Sequence, residues 1–135
     1  FSESVHLLCK ATPLVFQNYG HVGIVMADDD DLNECLILSL QYYDRPRVDV
    51  SRINSGTGQW NIFTQPIFIT EPLLCIHWDH GTSQFNAKVG FDKDNLTTIY
   101  NYTPGWTPVR IGFFTRHAST ATNSTIGKFE WIRVY

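Results

Sequence analysis

Phe85-Asn86-Ala87-Lys88-Val89-Gly90-Phe91 alternates apolar with polar or small residues over seven positions. Strand side chains point to opposite faces in turn, so this pattern predicts a half-buried β-strand. Phe85, Ala87, Val89 and Phe91 are expected on its core side, Asn86 and Lys88 on the other. Asp79-His80-Gly81-Thr82 precedes the stretch and Asp92-Lys93-Asp94-Asn95 follows it. Such residues tolerate left-handed backbone or cap their own turns, which makes the stretch one strand in a run of hairpins.

The same period extends outward. Arg47-Val48-Asp49-Val50-Ser51-Arg52 alternates in the same way. Gly20 to Met26, Leu73 to Trp78, Val109 to Thr115 and Lys128 to Tyr135 are short, β-branched or aromatic, and bounded by Gly, Pro or Asp, which predicts further strands. Asp31 to Tyr43 carries a competing helix signal, because leucine is a good helix former and Asp31-x-x-Glu34 mimics a capping box. Leu36, Leu38, Leu40 and Tyr42 nevertheless alternate with Ser39, Gln41 and Tyr43, with Ile37 alone out of register, so a strand is expected. With further turn signals at Asp28 to Asp31, Asn54 to Gly58 and Thr103 to Gly105, eight or nine short strands are expected and hardly any helix. That pattern is an all-β sandwich or barrel of antiparallel sheets. No repeat or linker divides the 135 residues, so residues 1–135 are read as a single domain.

Charge and composition narrow the function. The chain carries 10 Lys and Arg against 13 Asp and Glu, a formal net charge of −3, so it has no basic excess with which to neutralise a phosphate backbone. Nucleic acid is not an expected partner. No apolar run approaches the roughly 18 residues that cross a bilayer, and no charged-then-apolar leader opens the chain, so membrane insertion is not expected either. The chain opens at Phe1 without an initiator methionine, which points to processing or excision from something longer. Cys9, Cys35 and Cys75 are odd in number and lie in apolar stretches, and they are read as reduced, buried small hydrophobes. They favour a cytoplasmic location slightly, while Asn-x-Ser/Thr sequons at Asn95, Asn101 and Asn123 keep a secreted one open.

The order of features resembles a known family. Tyr19-Gly20-His21-Val22-Gly23-Ile24-Val25 followed by Asp28-Asp29-Asp30 is similar to an early strand and acidic turn of concanavalin A-like jelly-roll domains. Leu74 to Gly81, then Phe85 to Phe91 and Asp92 to Asn95, resembles their central hairpin pair. Pro108 to Phe114 and Lys128 to Tyr135 resemble their closing strands. Across most of the chain the pattern is similar to a bacterial and fungal family of unknown function related to the C-terminal domains of β-xylosidases. The resemblance implies a concanavalin A-like jelly-roll sandwich of two antiparallel sheets. Relatives carry some tens of residues before the position matching Phe1, including an outer strand, which implies a truncated or divergent amino end.

Residue chemistry argues against hydrolysis. Concanavalin-like glycosidases set two or three carboxylates in alternation on one strand, which places acid and nucleophile about 5 to 5.5 Å apart. Here Glu34, Glu71 and Glu130 are scattered and Glu3 lies at the start, so no catalytic residue is assigned and the protein is expected not to be an enzyme. His77-Trp78-Asp79-His80 offers imidazole and carboxylate but no third ligand, so no metal and no cofactor is assigned. Asp28 to Asp31 lacks the spacing of an EF-hand and is read as a solvated hairpin tip, with calcium left open. Asn54-Ser55-Gly56-Thr57-Gly58 lacks the Gly-Lys-Ser/Thr end of a phosphate loop and is read as a long turn. The cysteines, set inside apolar strands, are read as inert rather than as His-activated nucleophiles.

The feature with functional content is the aromatic load of four Trp, six Tyr and nine Phe, with Tyr42, Tyr43, Trp60, Trp78 and Trp106 placed where a face or loop could present them, while packing within a two-sheet core is the competing and favoured reading of each. A flat indole over a sugar's C–H face, with hydrogen-bonding side chains at its edge, is a common way to hold a neutral polyol. The resemblance implies non-catalytic, lectin-like carbohydrate binding on the concave sheet or its rim. Arg47, Asp49, His77, Asp79 and Asn86 are the expected hydrogen-bonding residues and Trp60 or Trp106 the stacking wall. The competing expectation is a protein-interaction or structural accessory domain with no sugar site.

Overall fold

The computed structural model describes residues 1–15, 20–29, 32–42, 45–67, 71–116 and 126–135. Ten strands occur among the described residues: β1 (Val5–Val15), β2 (Gly20–Ala27), β3 (Cys35–Tyr42), β4 (Pro46–Asn54), β5 (Thr57–Pro66), β6 (Leu73–Asp79), β7 (Gln84–Gly90), β8 (Thr97–Tyr102), β9 (Arg110–Arg116) and β10 (Ile126–Val134). They form two five-stranded sheets. Sheet I has the order β10-β1-β6-β7-β8 and sheet II the order β5-β4-β3-β2-β9. Every pairing is antiparallel. No helix occurs among the described residues, and so none long and apolar enough to cross a membrane.

One core fills the space between the sheets. Sheet I contributes Leu7, Cys9, Leu74, Ile76, Trp78, Phe85 and Ala87, and sheet II contributes Val22, Ile24, Met26, Leu36, Leu38, Leu40, Val48 and Val50. These are alternate residues of each strand, so their neighbours face outward on opposite sides of the sandwich. The expected strand over Asp31 to Tyr43 is β3, which pairs with β2 and β4 along its whole length. Alternation wins over leucine's helix propensity here because only a strand buries Leu36, Leu38 and Leu40 together.

The register of β7 is as expected for Phe85 and Ala87, both fully buried, and for Val89, which packs against the core. Phe91 corrects the expectation. The strand ends at Gly90, and Phe91 lies beyond it with 74% of its surface exposed. Strands β1, β5 and β8 carry weak sequence signals. On β1 alternation is lost because both faces are covered: Leu7 and Cys9 face the core while Leu8 is buried outside under Trp131 and Leu96. The edge strands β5 and β8 mix polar residues with Ile62, Phe63, Ile99 and Tyr100, which pack against the core only in part.

The three cysteines are unpaired. Cys9 points into the core, whereas Cys75, on the neighbouring strand, points to the outer side of sheet I, and Cys35 belongs to sheet II. Burial pushes the Cys9 thiol up to about 12 and the Cys35 and Cys75 thiols up to about 11. Thiolate chemistry is therefore suppressed at all three. Titration in denaturant without reductant should count three free thiols, and a count of one would contradict this placement.

Candidate functional site

The outer face of sheet II is where polar groups converge. His21 on β2, Ser39 and Gln41 on β3, and Asp49 and Ser51 on β4 share this face, and all are buried. The Ser51 hydroxyl donates to Asp49 Oδ2 at 2.7 Å and accepts the Asn61 backbone N–H at 3.0 Å. Gln41 Nε2 donates to Asn61 Oδ1 at 3.2 Å and lies 3.3 Å from His21 Nε2. That contact makes Nε2 the acceptor and places the imidazole proton on Nδ1, which faces Ser39 Oγ at 3.1 Å and Asp49 Oδ2 at 3.6 Å. Asp49 Oδ1 is buried and accepts no hydrogen bond among the described residues.

A roof explains the burial. Trp60 comes from β5 and Phe114 and Arg116 from β9, the two opposite edges of sheet II. Four strand spacings, about 19 Å along the ladder, separate these edges, so the sheet must curl and the indole must lie across its face for them to meet. Trp60 and Phe114 stack with centroids 6.2 Å apart, and the Arg116 guanidinium sits 3.7 Å over the indole. A bulge aims Trp60 inward: Ser51 stands opposite Trp60, Asn61 and Ile62, and Asn61 takes a φ of 56°. Gly58 makes the room, since a Cβ there would lie 2.7 Å from the indole nitrogen. The face is thus concave, roofed by aromatics at one end. At the other end lies a cavity of about 270 Å³ with Val25, Ala27, Asp29, Arg110 and Gly112 among its lining.

Burial, reinforced by Arg116, lowers the His21 pKa to about 4. Burial raises Asp49 to about 6 against the opposing pull of the Ser51 hydroxyl and Arg116. Serine, histidine and aspartate therefore meet here, but not as a triad. Both Ser39 and Asp49 face the same imidazole nitrogen, and Gln41 occupies the other, whereas proton relay needs the hydroxyl and the carboxylate on opposite nitrogens.

The seven expected binding residues do not form one site. Arg47, Asp49 and Trp60 share the concave face of sheet II. His77, Asp79 and Asn86 lie on the outer face of sheet I, the far side of the sandwich. Trp106 packs at the core against Phe85, 5.0 Å between rings. Asp49, expected to offer its carboxylate to a ligand, is wholly buried because the roof covers the face that the valines leave.

On sheet I, His77 stacks on His6 at 4.0 Å, and His6 on Tyr135 at 5.0 Å. Burial, then the neighbouring His6 and Lys88, lowers the His77 pKa to about 4. Asp79 Oδ1 is engaged in its own hairpin, accepting from the Gly81 and Thr82 amides at 2.9 and 3.3 Å. No group of three potential metal ligands converges among the described residues. In the acidic turn, Asp28 Oδ1 accepts the Glu34 amide and Asp29 accepts from the Asn33 backbone and side chain. Asp30, Asp31, Tyr43 and Asn123 lie outside the described residues, as does the side chain of Tyr42.

No family model matches the sequence, and no curated protein does. Solved structures do. The chain is similar to the GH43 protein BlXynB from Bacillus licheniformis, with a TM-score of 0.80 at 12% identity over 98% of this chain and 27% of that one. It is similar to a bifunctional GH43-CE protein of Bacteroides eggerthii, with a TM-score of 0.79 at 9% identity over 100% of this chain and 18% of that one. A functionally unknown protein from Saccharomyces cerevisiae matches with a TM-score of 0.76 at 11% identity, over 100% of this chain and 70% of that one. At such identities the likeness shows the fold: this β-sandwich recurs as a part of much longer GH43 chains.

Proposed function

We propose that the domain binds carbohydrate without acting on it, through the concave face of sheet II. The observation that carries this reading is the Asp49 oxygen that no donor among the described residues reaches, beneath an aromatic roof. A ligand hydroxyl satisfies a buried acceptor of this kind, and aromatic walls suit the C–H faces of a sugar. The cavity at the other end of the face, lined by Val25, Ala27 and Gly112, gives a ring a place to rest, and the recurrence of the fold within GH43 chains supports the ligand class. The arrangement of His21 between Ser39 and Gln41 supports a binding rather than a catalytic role.

Glycan-array screening followed by calorimetric titration of a confirmed glycan tests this. Trp60→Ala and Asp49→Asn should each weaken binding by about 2 kcal/mol, roughly 30-fold. Undiminished affinity in both variants would remove this face as the site. A second reading, a protein-interaction domain, is favoured by Phe113, Val109 and Val134, which stand 51%, 45% and 49% exposed on β9, just before it and on β10. An array without hits would favour it.

A further inference from the structure

The turn between β7 and β8 carries the sequon Asn95-Leu96-Thr97, with Asn95 and Thr97 both exposed. The Asn95 amide closes the turn by donating to the Asp92 carbonyl at 3.1 Å. Gly90 lets this turn fold back on the strand end, because a Cβ at that position would lie 2.6 Å from the Asn95 carbonyl oxygen. Asn95 is thereby brought to the lining of a cavity of about 430 Å³ at the open edge of the sandwich, whose apolar walls include Ile67, Val89, Ile99 and Phe91. Phe91 is more exposed than any other large hydrophobic side chain among the described residues. An aromatic ring left in water at the lip of an apolar trench, beside an acceptor asparagine, has an obvious means of being covered.

We propose that Asn95 is an N-glycosylation site whose first N-acetylglucosamine packs on Phe91 and covers this trench. The Asn95 side-chain nitrogen attacks the anomeric carbon of a lipid-diphosphate-linked oligosaccharide. A C–N bond forms, the C–O bond to the diphosphate breaks, the lipid diphosphate leaves, and the amide gives up one proton. The pyranose C–H face and the acetamido methyl group then meet the ring, and the covalent tether removes the entropic cost of association. Asn101 begins the other described sequon, but it stands within β8 opposite Asn86 on the outer face of sheet I and does not line the trench. The odd cysteine count does not oppose a secretory route, since the three thiols face three different environments and cannot bridge one another within the chain.

The full chain, secreted from a eukaryotic host, tests this by peptide mapping after enzymatic deglycosylation in ¹⁸O water, together with thermal unfolding. Asn95 should appear as labelled aspartate, and the glycosylated chain should melt about 3 to 5 °C above Asn95→Gln. Phe91→Ala should remove most of that gap while leaving the Asn95→Gln chain nearly unchanged, and Phe91→Tyr, which keeps the ring, should preserve it. An unoccupied Asn95, or a gap that survives Phe91→Ala, would overturn the proposal.

Discussion

Phe85→Ala is expected to cost about 3 to 5 kcal/mol of folding stability, while Phe91→Ala in the unglycosylated chain stays within about 0.5 kcal/mol. The two phenylalanines bracket a single alternating stretch, yet only Phe85 is enclosed. Its ring lies 4.8 Å from Trp78, 5.0 Å from Trp106 and 6.4 Å from Tyr102, so it joins an aromatic of β6 to two at and just beyond the end of β8. Truncation would leave a void that these large, stiff neighbours cannot close by small shifts, and the lost contacts add to the lost transfer free energy. Phe91 has no such enclosure. Urea unfolding of both variants checks the pair, and equal costs would mean that β7 runs in a different register or ends later than Gly90.

That pair also shows where sequence reading stops. Period-two alternation located most of the strands, because each buries one face in a shared core and leaves the other free to vary. It could not place the end of β7, since an apolar residue just past a strand looks the same in sequence as one within it. Nor could it assign strands to sheets. Arg47 and Asp49 on β4 and His77 and Asp79 on β6 show the same alternating pattern, yet they face opposite sides of the sandwich because β4 belongs to sheet II and β6 to sheet I. The concave site was partly legible in Asp49 and Trp60. His21, Ser39, Gln41 and Ser51 were visible only as polar residues alternating with valine, isoleucine and leucine, which is also how a solvated face reads. Phe114 and Arg116 had no sequence signal as site residues at all, for their role depends on the curl of a sheet whose first and last strands in space are β5 and β9.

The buried His21–Asp49 pair should add almost no net pH dependence to stability between about 4 and 6, and Asp49→Asn should break that balance. Burial raises the Asp49 pKa from 3.8 to about 6, so the folded chain holds a proton there that the unfolded chain has already released. The stability from this group is present below 3.8 and is lost as pH rises to about 6. His21 runs the other way. Its pKa falls from 6.5 to about 4, so its contribution is present above 6.5 and is lost as pH falls to about 4. Within the shared window, folding transfers one proton from histidine to aspartate with no net uptake, and the two slopes cancel. In Asp49→Asn only the histidine slope remains, so the stability difference between variant and native chain should grow in the variant's favour by about 2 kcal/mol from pH 4 to pH 6. His21→Gln should show the opposite trend. Because the other titrating groups, His6 and His77 among them, are common to all three chains, denaturant unfolding at several pH values isolates the pair by subtraction. A difference between Asp49→Asn and the native chain that does not change across this window would mean that Asp49 is already solvated and that the roof of Trp60, Phe114 and Arg116 stands open in solution. A rising difference would establish the closed face, with Asp49 protonated below about pH 6 and ionised above it.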